Sequence, residues 1–523
     1  MPRMDNEQVG PPRLSRTIVV VIGLLAVLAA LAVGHLVAGL INPNASPFVA
    51  VGNSVRDLTP PDVTEWAIRN LGDWKGPLLL GGIAVLLVVF AAVAGLLSRR
   101  RVWPGAALAA VVGLVALAAV RYQSTVAPIG VLAPIASLVA GVAVFVVLHR
   151  LARKRAAARP EPAAGSGDSR RTFLWTSAGV AAGAAVIGGS GQLLASRRDA
   201  AGSRAGIGAL SAADPAPPIP RGADFAEDGT PTFLTRNSDF YRVDTALVSV
   251  PQVRAEDWRL TVHGMVDRTR TYSYSDLRDR PLVERTITMT CVSNEVGGHY
   301  VSTANFIGVP LADLLDVAGV RGGADQLYST SVDGWTAGTP VDAVMDRKRG
   351  ALLAIGMNGE PLPIEHGFPA RMVVPGLYGF VSATKWVVDM ELTTFGAKRS
   401  YWLDRGWGQR APIKTQSRID WPAGFAELSA GRVAVVGVAW AQHIGIQKVE
   451  VRIGAGPWQE ARLATEVNVQ TWRMWRAEFD LEPGRYQAEV RATDRTGRTQ
   501  PNTGMKPIPD GATGWHSTVF TVR

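Results

Sequence analysis

Four apolar runs dominate the chain before Arg150: roughly Thr17–Ile41, Pro77–Ser98, Pro104–Val120 and Pro128–Leu148. Crossing a bilayer takes about 20 apolar residues, and each run comes close to or exceeds that length with no charge in its interior. Such segments read as membrane spans, because a soluble core rarely buries so many uninterrupted apolar helices. The flanking charges set the direction. Arg3, Arg13 and Arg16 precede the first run. Arg99, Arg100 and Arg101 separate the second from the third, and Arg150, Arg153, Lys154, Arg155 and Arg159 follow the fourth. The loop after the first run mixes Asp57, Asp62, Glu65 and Asp73 with Arg56, Arg69 and Lys75, and the loop after the third carries only Arg121. The positive-inside rule therefore puts the N-terminus, the second loop and the tail after the fourth run in the cytoplasm.

A weaker fifth stretch, Phe173 to about Leu194, is built of Ala, Gly and Ser. Directly before it stands Ser169-Arg170-Arg171-Thr172-Phe173-Leu174. This matches the twin-arginine export pattern, an address read by a receptor and used for domains that cross already folded. A fifth span with ordinary cytoplasmic arginines is the plainer reading. Both send the remaining residues outward, to the extracytoplasmic side of a multi-pass membrane protein. Haem in the helices would need two facing imidazoles. His35 lies inside the first run and His149 at the end of the fourth, which favours an anchor over an electron-transfer bundle.

The net charge of +10 at pH 7 could suggest nucleic acid. Much of the excess, however, flanks the apolar runs, and no basic stripe with interleaved aromatics follows, so no nucleic-acid partner is expected. Residues from about Ala200 to Arg221, rich in Ala, Gly, Ser and Pro, read as a partly extended tether. From Asp224 to about Thr394 short strand-like runs alternate with short helices and Gly/Pro turns, an α+β pattern. Trp258–His263, Thr286–Thr290 and Arg371–Pro375 read as strands, and Leu311–Val317 as a helix. From about Arg432 onward the period becomes two, as in Lys448–Ile453 and Tyr486–Ala492, which points to an antiparallel sandwich of immunoglobulin type.

Cys291 is the chain's one cysteine, so neither an internal disulfide nor a multi-cysteine zinc site is available. It ends a strand and precedes a Gly-bearing turn, Cys291-Val-Ser-Asn294-Glu-Val-Gly-Gly298. Loops at strand ends present reactive side chains, and a thiolate suits a soft metal. A cysteine protease is the rival reading, needing a His and an orienting Asn or Asp near the thiol.

Several motifs then occur in order: Arg236-Asn237-Ser238-Asp239-Phe240-Tyr241-Arg242, the Cys291/Asn294 segment, Val332-Asp333-Gly334, His366-Gly367-Phe368-Pro369-Ala370-Arg371, and Ser382-Ala383-Thr384-Lys385-Trp386. Together they resemble the sulfite oxidase family of molybdopterin enzymes, over roughly Asp224 to the C-terminus. The resemblance implies a cofactor of molybdenum with molybdopterin, Cys291 as its metal ligand, and oxygen-atom transfer on a small sulfur- or nitrogen-oxo substrate. It further implies pterin contacts from Asn237, Tyr241, Arg242, Asp333, His366, Arg371, Ser382, Thr384 and Lys385. Arg371 and Lys385 would meet the phosphate. On bland readings His366 is a hydrogen-bonded turn residue, Asp333 a turn former and Arg371 an ion-pair partner. Sulfite-oxidising members carry an arginine five residues after the metal cysteine. Val296 stands there, after Glu295, which speaks against an anionic substrate, although Arg236, Arg242 or Arg405 could still supply charge.

The expected architecture is multi-domain. Residues 1–160 form an all-α transmembrane bundle and 161–223 the export-like segment and linker. Residues 224–404 form an α+β molybdopterin-binding domain, and 405–523 an immunoglobulin-like β-sandwich resembling the family's dimerisation domain. No haem-domain His-Pro-Gly-Gly segment occurs, so electrons need a separate partner, a cytochrome or a quinone-linked protein, and a homodimer is plausible. The alternative is a cofactor-free, membrane-anchored scaffold of the same fold.

Overall fold

The computed structural model describes residues 13–41, 45–60, 63, 71, 74–123, 128–157, 175–187, 200–243 and 250–523. The Ser169–Leu174 motif lies outside these residues. The chain divides into two compact units, Met1–Arg198 with Ala246–Val250, and Asp199–Thr245 with Pro251–Arg523.

In the first unit the apolar runs become helices α1 (Arg16–Ile41), α3 (Lys75–Leu97), α4 (Trp103–Tyr122) and α5 (Leu132–Ala157), with α2 (Pro47–Leu58) between the first two. Among the described residues four helices are long and apolar enough to cross a membrane. Helix is the form that satisfies every backbone N–H and C=O within one segment, which hydrocarbon demands. The apolar helix Trp175–Ile187 is shorter. Polar groups inside the bundle bond to backbone: Ser137 Oγ donates to Ala30 O at 2.8 Å, and His149 Nε2 lies 2.6 Å from Ser98 O. Ala30 is five residues from His35, and Ser137 is twelve from His149, about 18 Å of helical rise. The two imidazoles therefore sit at different depths, and His149 is engaged with a carbonyl. The sequence reading missed α2, whose mixed composition hides among its apolar neighbours.

The second unit opens with helix Ala200–Ile207. Instead of a loose tether, this segment is tied down. Ser203 Oγ donates to Glu256 at 2.5 Å, Arg204 pairs with Glu360 at 2.7 Å, and Asp214 bonds with Arg285 at 2.6 Å. Ala200 is fully buried. Composition alone concealed these contacts, because Ser, Arg and Asp look the same in a linker as in a docked strap.

The strands are, in chain order, β1 (Arg259–Gly264), β2 (Arg270–Ser273), β3 (Val283–Thr290), β4 (Val301–Pro310), β5 (Gln326–Ser331), β6 (Thr336–Pro340), β7 (Leu352–Met357), β8 (Glu360–Pro361), β9 (Arg371–Val373) and β10 (Val387–Thr393). One five-stranded sheet runs β2-β1-β10-β5-β6, with β1 and β10 parallel. The other path runs β3-β4-β7-β8, with β9 also paired to β7. Every residue of β7, LLAIGM, is buried, as expected for a central strand covered on both faces. Helix Leu311–Ala318 sets Leu311, Leu314 and Leu315 into the same core as Phe306 and Leu353.

The C-terminal strands are β11 (Gln416–Trp421), β12 (Glu427–Leu428), β13 (Gly431–Trp440), β14 (Ile446–Ile453), β15 (Gln459–Glu460), β16 (Arg462–Leu463), β17 (Arg473–Leu481), β18 (Gly484–Asp494) and β19 (His516–Val522). They form two sheets, β11-β13-β17-β16 and β12-β19-β18-β14-β15. Val433, Val435 and Trp475 of one share a core with Val449, Val490 and Phe520 of the other, so the two sheets make a sandwich. In β14 the alternation read from sequence holds: Val449 and Val451 are buried, while Glu450 and Arg452 are partly exposed.

Candidate functional site

Cys291 stands directly after β3, on an arch that returns to β4. Its N–H donates to Tyr300 O at 3.0 Å, and its carbonyl accepts from Asn294 N–H at 3.1 Å. Asn294 Oδ1 accepts from Tyr300 N–H at 2.8 Å. The arch is thus held shut from both ends, and the thiol is fixed at the tip of the strand. The sulfur lies 2.9 Å from Ser293 Oγ. Burial pushes the thiol's pKa up, while the Ser293 hydrogen bond and the Lys385 charge pull it back. No imidazole among the described residues bonds to this sulfur, so the protease arrangement is not present.

Next to it, Tyr241 stacks on Phe240 at 5.4 Å and faces Tyr300 at 6.3 Å. Burial raises its phenol pKa, with the neighbouring Cys291 adding to the rise and Arg371 opposing it. Arg371 begins β9 and is only 3% exposed. Its Nη1 donates to His366 O at 3.1 Å, and its guanidinium lies 5.9 Å from the centre of the Phe306 ring. No carboxylate among the described residues pairs with it. Burial lowers its pKa to about 10. A buried cation without an anion is costly, and an anion bound here would relieve that cost.

His366 ends a short 3-10 turn and is 3% exposed. Its Nε2 lies 3.1 Å from Asn237 O, and its ring meets Phe240 edge-on at 5.5 Å. Burial, then the charges of Arg371 and Lys385, hold its pKa down to about 4, so it is neutral near pH 7. Gly367 follows at φ 112°, and a Cβ there would lie 3.0 Å from the Arg371 Cβ and 3.1 Å from the Lys385 Cβ. Only glycine suits that conformation and that squeeze, and it brings the two cationic residues to either side of one turn. Lys385 Nζ donates to Glu365 O at 3.0 Å.

The structure therefore gathers Cys291, Tyr241, His366, Arg371 and Lys385, with Asn237 behind His366. The Asn237 amide is occupied, donating to Glu360 at 2.6 Å and accepting from Asn358 at 2.9 Å. Arg242 is exposed. Asp333 accepts from Trp335 N–H at 3.2 Å before Gly334 at φ 85°, which is the turn-former reading. Ser382 Oγ donates to Leu377 O and Tyr378 O at 3.0 Å each, and Thr384 Oγ1 is 2.7 Å from Ser329 Oγ. Both hydroxyls hold the local fold.

Tyr378 was missed by sequence reading. It is 1% exposed, and burial raises its pKa, with Cys291 adding to the rise. It sits in an apolar Gly-Leu-Tyr-Gly-Phe run with nothing to mark it as polar-facing. Asn294 Nδ2 is a buried donor with no hydrogen-bond partner, and it too lay in the motif without an assigned role.

The gathered groups fit a molybdenum–pterin cofactor. They comprise one thiol, a buried unpaired guanidinium, an ammonium beside it and an unused amide donor. Among the described residues no group of three or more His, Cys, Asp or Glu could hold a metal ion, so a metal here would rely on ligands that a cofactor brings. Residues 247–402 match the family described as oxidoreductase molybdopterin binding domain. Mitochondrial sulfite oxidase of Macaca fascicularis is 28% identical over 331 residues, covering 53% of this chain and 58% of that protein. The chain thus spans little more than half the length of such relatives. An uncharacterised oxidoreductase of Bacillus subtilis (strain 168), YuiH, is 32% identical over 164 residues, covering 31% of this chain and 79% of that protein. The sulfane dehydrogenase SoxCD from Paracoccus pantotrophus overlaps with a TM-score of 0.49 at 21% identity, covering 58% of this chain and 88% of that one. Since 79% of the Bacillus subtilis protein is covered at 32% identity and the domain match spans the cysteine, the chain belongs to the sulfite oxidase family of molybdopterin-binding oxidoreductases, whose cofactor is molybdenum with molybdopterin.

Proposed function

We propose that the protein is a membrane-anchored, extracytoplasmic oxidoreductase that moves an oxygen atom to or from a small sulfur- or nitrogen-oxo substrate, with Cys291 as the protein ligand to molybdenum. The observation that carries this reading is that Tyr241 feels both the Cys291 thiol and a buried arginine, Arg371, for which no carboxylate partner is found among the described residues. When bound, the cofactor supplies oxygen-atom transfer coupled to an electron pair.

The chain's own residues do the rest. Arg371 and Lys385 bind the pterin phosphate, the arginine through its fork and the lysine as a point charge. His366, kept neutral by burial, orients a polar ring edge without adding charge. Tyr241 and Tyr378 wall the thiol side with hydroxyls that stay protonated. Asn237 sets His366 through its carbonyl. Arg242, Asp333, Ser382 and Thr384 shape the turns around the pterin. Val296 and Glu295, standing five and four residues after Cys291, disfavour an oxyanion such as sulfite.

The positive-inside pattern supports a cytoplasmic N-terminus and an outward second unit, carried there by the Ser169–Leu174 signal. We assign residues 1–160 as anchor, 161–223 as signal and linker, 224–404 as catalytic domain and 405–523 as an immunoglobulin-type domain suited to homodimer contact. A separate cytochrome or quinone-linked partner exchanges the electrons. The test is metal and pterin analysis of the purified full chain from a cofactor-making host, followed by a panel of sulfoxides, N-oxides, nitrate and sulfite with a redox dye. Molybdenum and pterin in equal amounts, with turnover of a neutral oxo compound, are expected. A chain that carries no molybdenum from such a host would overturn the reading.

A further inference from the structure

Strand β3, which delivers Cys291, is a sheet edge: β4 lies on one side and, among the described residues, the other side meets no strand, only a single bridge from Asp214 to Val283 at its start. An unpaired edge leaves backbone groups open and a strand free to shift. The open edge of β3 is instead laced to the C-terminal sandwich region. Thr288 N–H donates to Gln470 O at 3.0 Å, and Trp472 N–H donates to Thr288 Oγ1 at 2.8 Å. Asn468 Nδ2 donates to Thr286 O at 3.1 Å. Nearest the cysteine, Gln442 Nε2 donates to Thr288 O and Thr290 Oγ1, each at 3.3 Å. Gln442 and Thr290 are 2% and 1% exposed, so water does not substitute for these bonds.

The arch on the far side of Cys291 is held by the same region. Arg418 Nη1 donates to Gly298 O at 2.9 Å, while its Nε donates to Asp420 at 2.7 Å. The Arg418 and Asp420 side chains are 6% and 12% exposed. Gly297 lies so close to His516 that a Cβ would stand 2.2 Å from the ring. His516 is itself fixed, accepting from Ile419 N–H through Nδ1 at 3.0 Å. Cys291 therefore sits between two clamps: one on the end of β3, from the segments after β13 and before β17, and one at Gly297–Gly298, from β11 and β19.

We propose that the C-terminal sandwich positions the metal-binding cysteine, with Gln442 and Arg418 as positioning residues that set where the Cys291 sulfur stands. This rests on the reading that Cys291 ligates molybdenum. A thiolate's direction of approach alters the electronic structure of the metal it binds, so the clamps act on the chemistry without touching substrate. Gln442→Met keeps the volume and removes the donors, and it also removes Oε1, which is buried without a partner. Arg418→Lys keeps the charge and breaks the fork.

The experiment uses the detergent-solubilised full chain loaded with cofactor and partly reduced with dithionite. It compares the electron paramagnetic resonance spectrum of the molybdenum(V) state in wild type, Gln442→Met, Arg418→Lys and Val451→Ala. Val451 is a buried sandwich residue with no bond to β3 or the arch, and its truncation lowers the melting temperature alone. The two clamp variants are expected to shift the spectrum at wild-type molybdenum content, and Val451→Ala to keep it. Wild-type spectra from both clamp variants, or an equal shift from Val451→Ala, would overturn the proposal. If a clamp variant fails to load, the alkylation rate of Cys291 by iodoacetamide decides in full chain made without cofactor. Since this is the one cysteine, the readout is unambiguous, with a severalfold rise expected and an unchanged rate contradicting the proposal. A Cys291→Ser chain that keeps the wild-type spectrum would instead refute the ligand assignment itself.

Discussion

Arg371 puts stability and function in opposition. A buried cation without a counter-ion costs free energy, and an apolar residue of similar length relieves that cost. Arg371→Met is therefore expected to leave the cofactor-free chain as stable as wild type or more so, by up to about 2 kcal/mol, while pterin retention falls at least about tenfold. Melting curves and pterin content on the same preparations check both signs. His366 carries a pH signature. Its folded pKa of about 4 lies below the unfolded value of about 6.5. As pH falls between these values the unfolded chain takes up a proton that the folded chain refuses, so stability drops across that window, by about 3 kcal/mol when it is fully crossed. His516, also held at about 4 by burial, adds to the slope. His366→Gln should flatten the fall in melting temperature between about pH 7 and about pH 4.5. An equally steep fall in that variant would contradict the assignment. At this scale the sequence was informative where chemistry is written into residue type, as in Cys291, His366 and Arg371. It was silent where geometry decides. Nothing in Leu377-Tyr378-Gly379 marks Tyr378 as buried near enough to the thiol to feel its charge, and nothing in Ser382 or Thr384 reveals that neighbouring backbone and Ser329 already use their hydroxyls.

Among the elements, period-two strands were the most readable. Val449 and Val451, buried between Glu450 and partly exposed Arg452, mark β14 directly, because one face of that sheet meets the core and the other meets water. β3 was read too short, from Thr286, because its first residues Val283-Glu284-Arg285 are all half-buried and show no alternation. The Ala200–Ile207 helix and its strap were read as a tether, since docking through Ser203, Arg204 and Asp214 depends on distant partners. β7 was not singled out at all, although it lies at the centre of its sheet. Leu353 there is fully buried, and Leu353→Ala should cost about 2–5 kcal/mol. A thermal or chemical denaturation of the full chain that detects less than about 1 kcal/mol would mean that β7 is not the core element its burial suggests.

Across the whole molecule, the apolar runs forecast the four long helices to within a few residues at most ends, because a long uninterrupted apolar segment satisfies its own backbone groups most readily as a helix. Their orientation rests on charge asymmetry and on the arginine pair. Replacing Arg170 and Arg171 together by Lys should leave the second unit inside the cell, protected from protease added to intact spheroplasts, whereas the wild-type unit is digested. Equal digestion of both would remove the export signal from the account. The central claim is that Cys291 holds molybdenum beside a pterin anchored by Arg371 and Lys385. X-ray absorption at the molybdenum edge tests it most directly, comparing the loaded wild-type chain with Cys291→Ser. One sulfur scatterer fewer per molybdenum in the variant is the result expected, and an unchanged sulfur shell would contradict it.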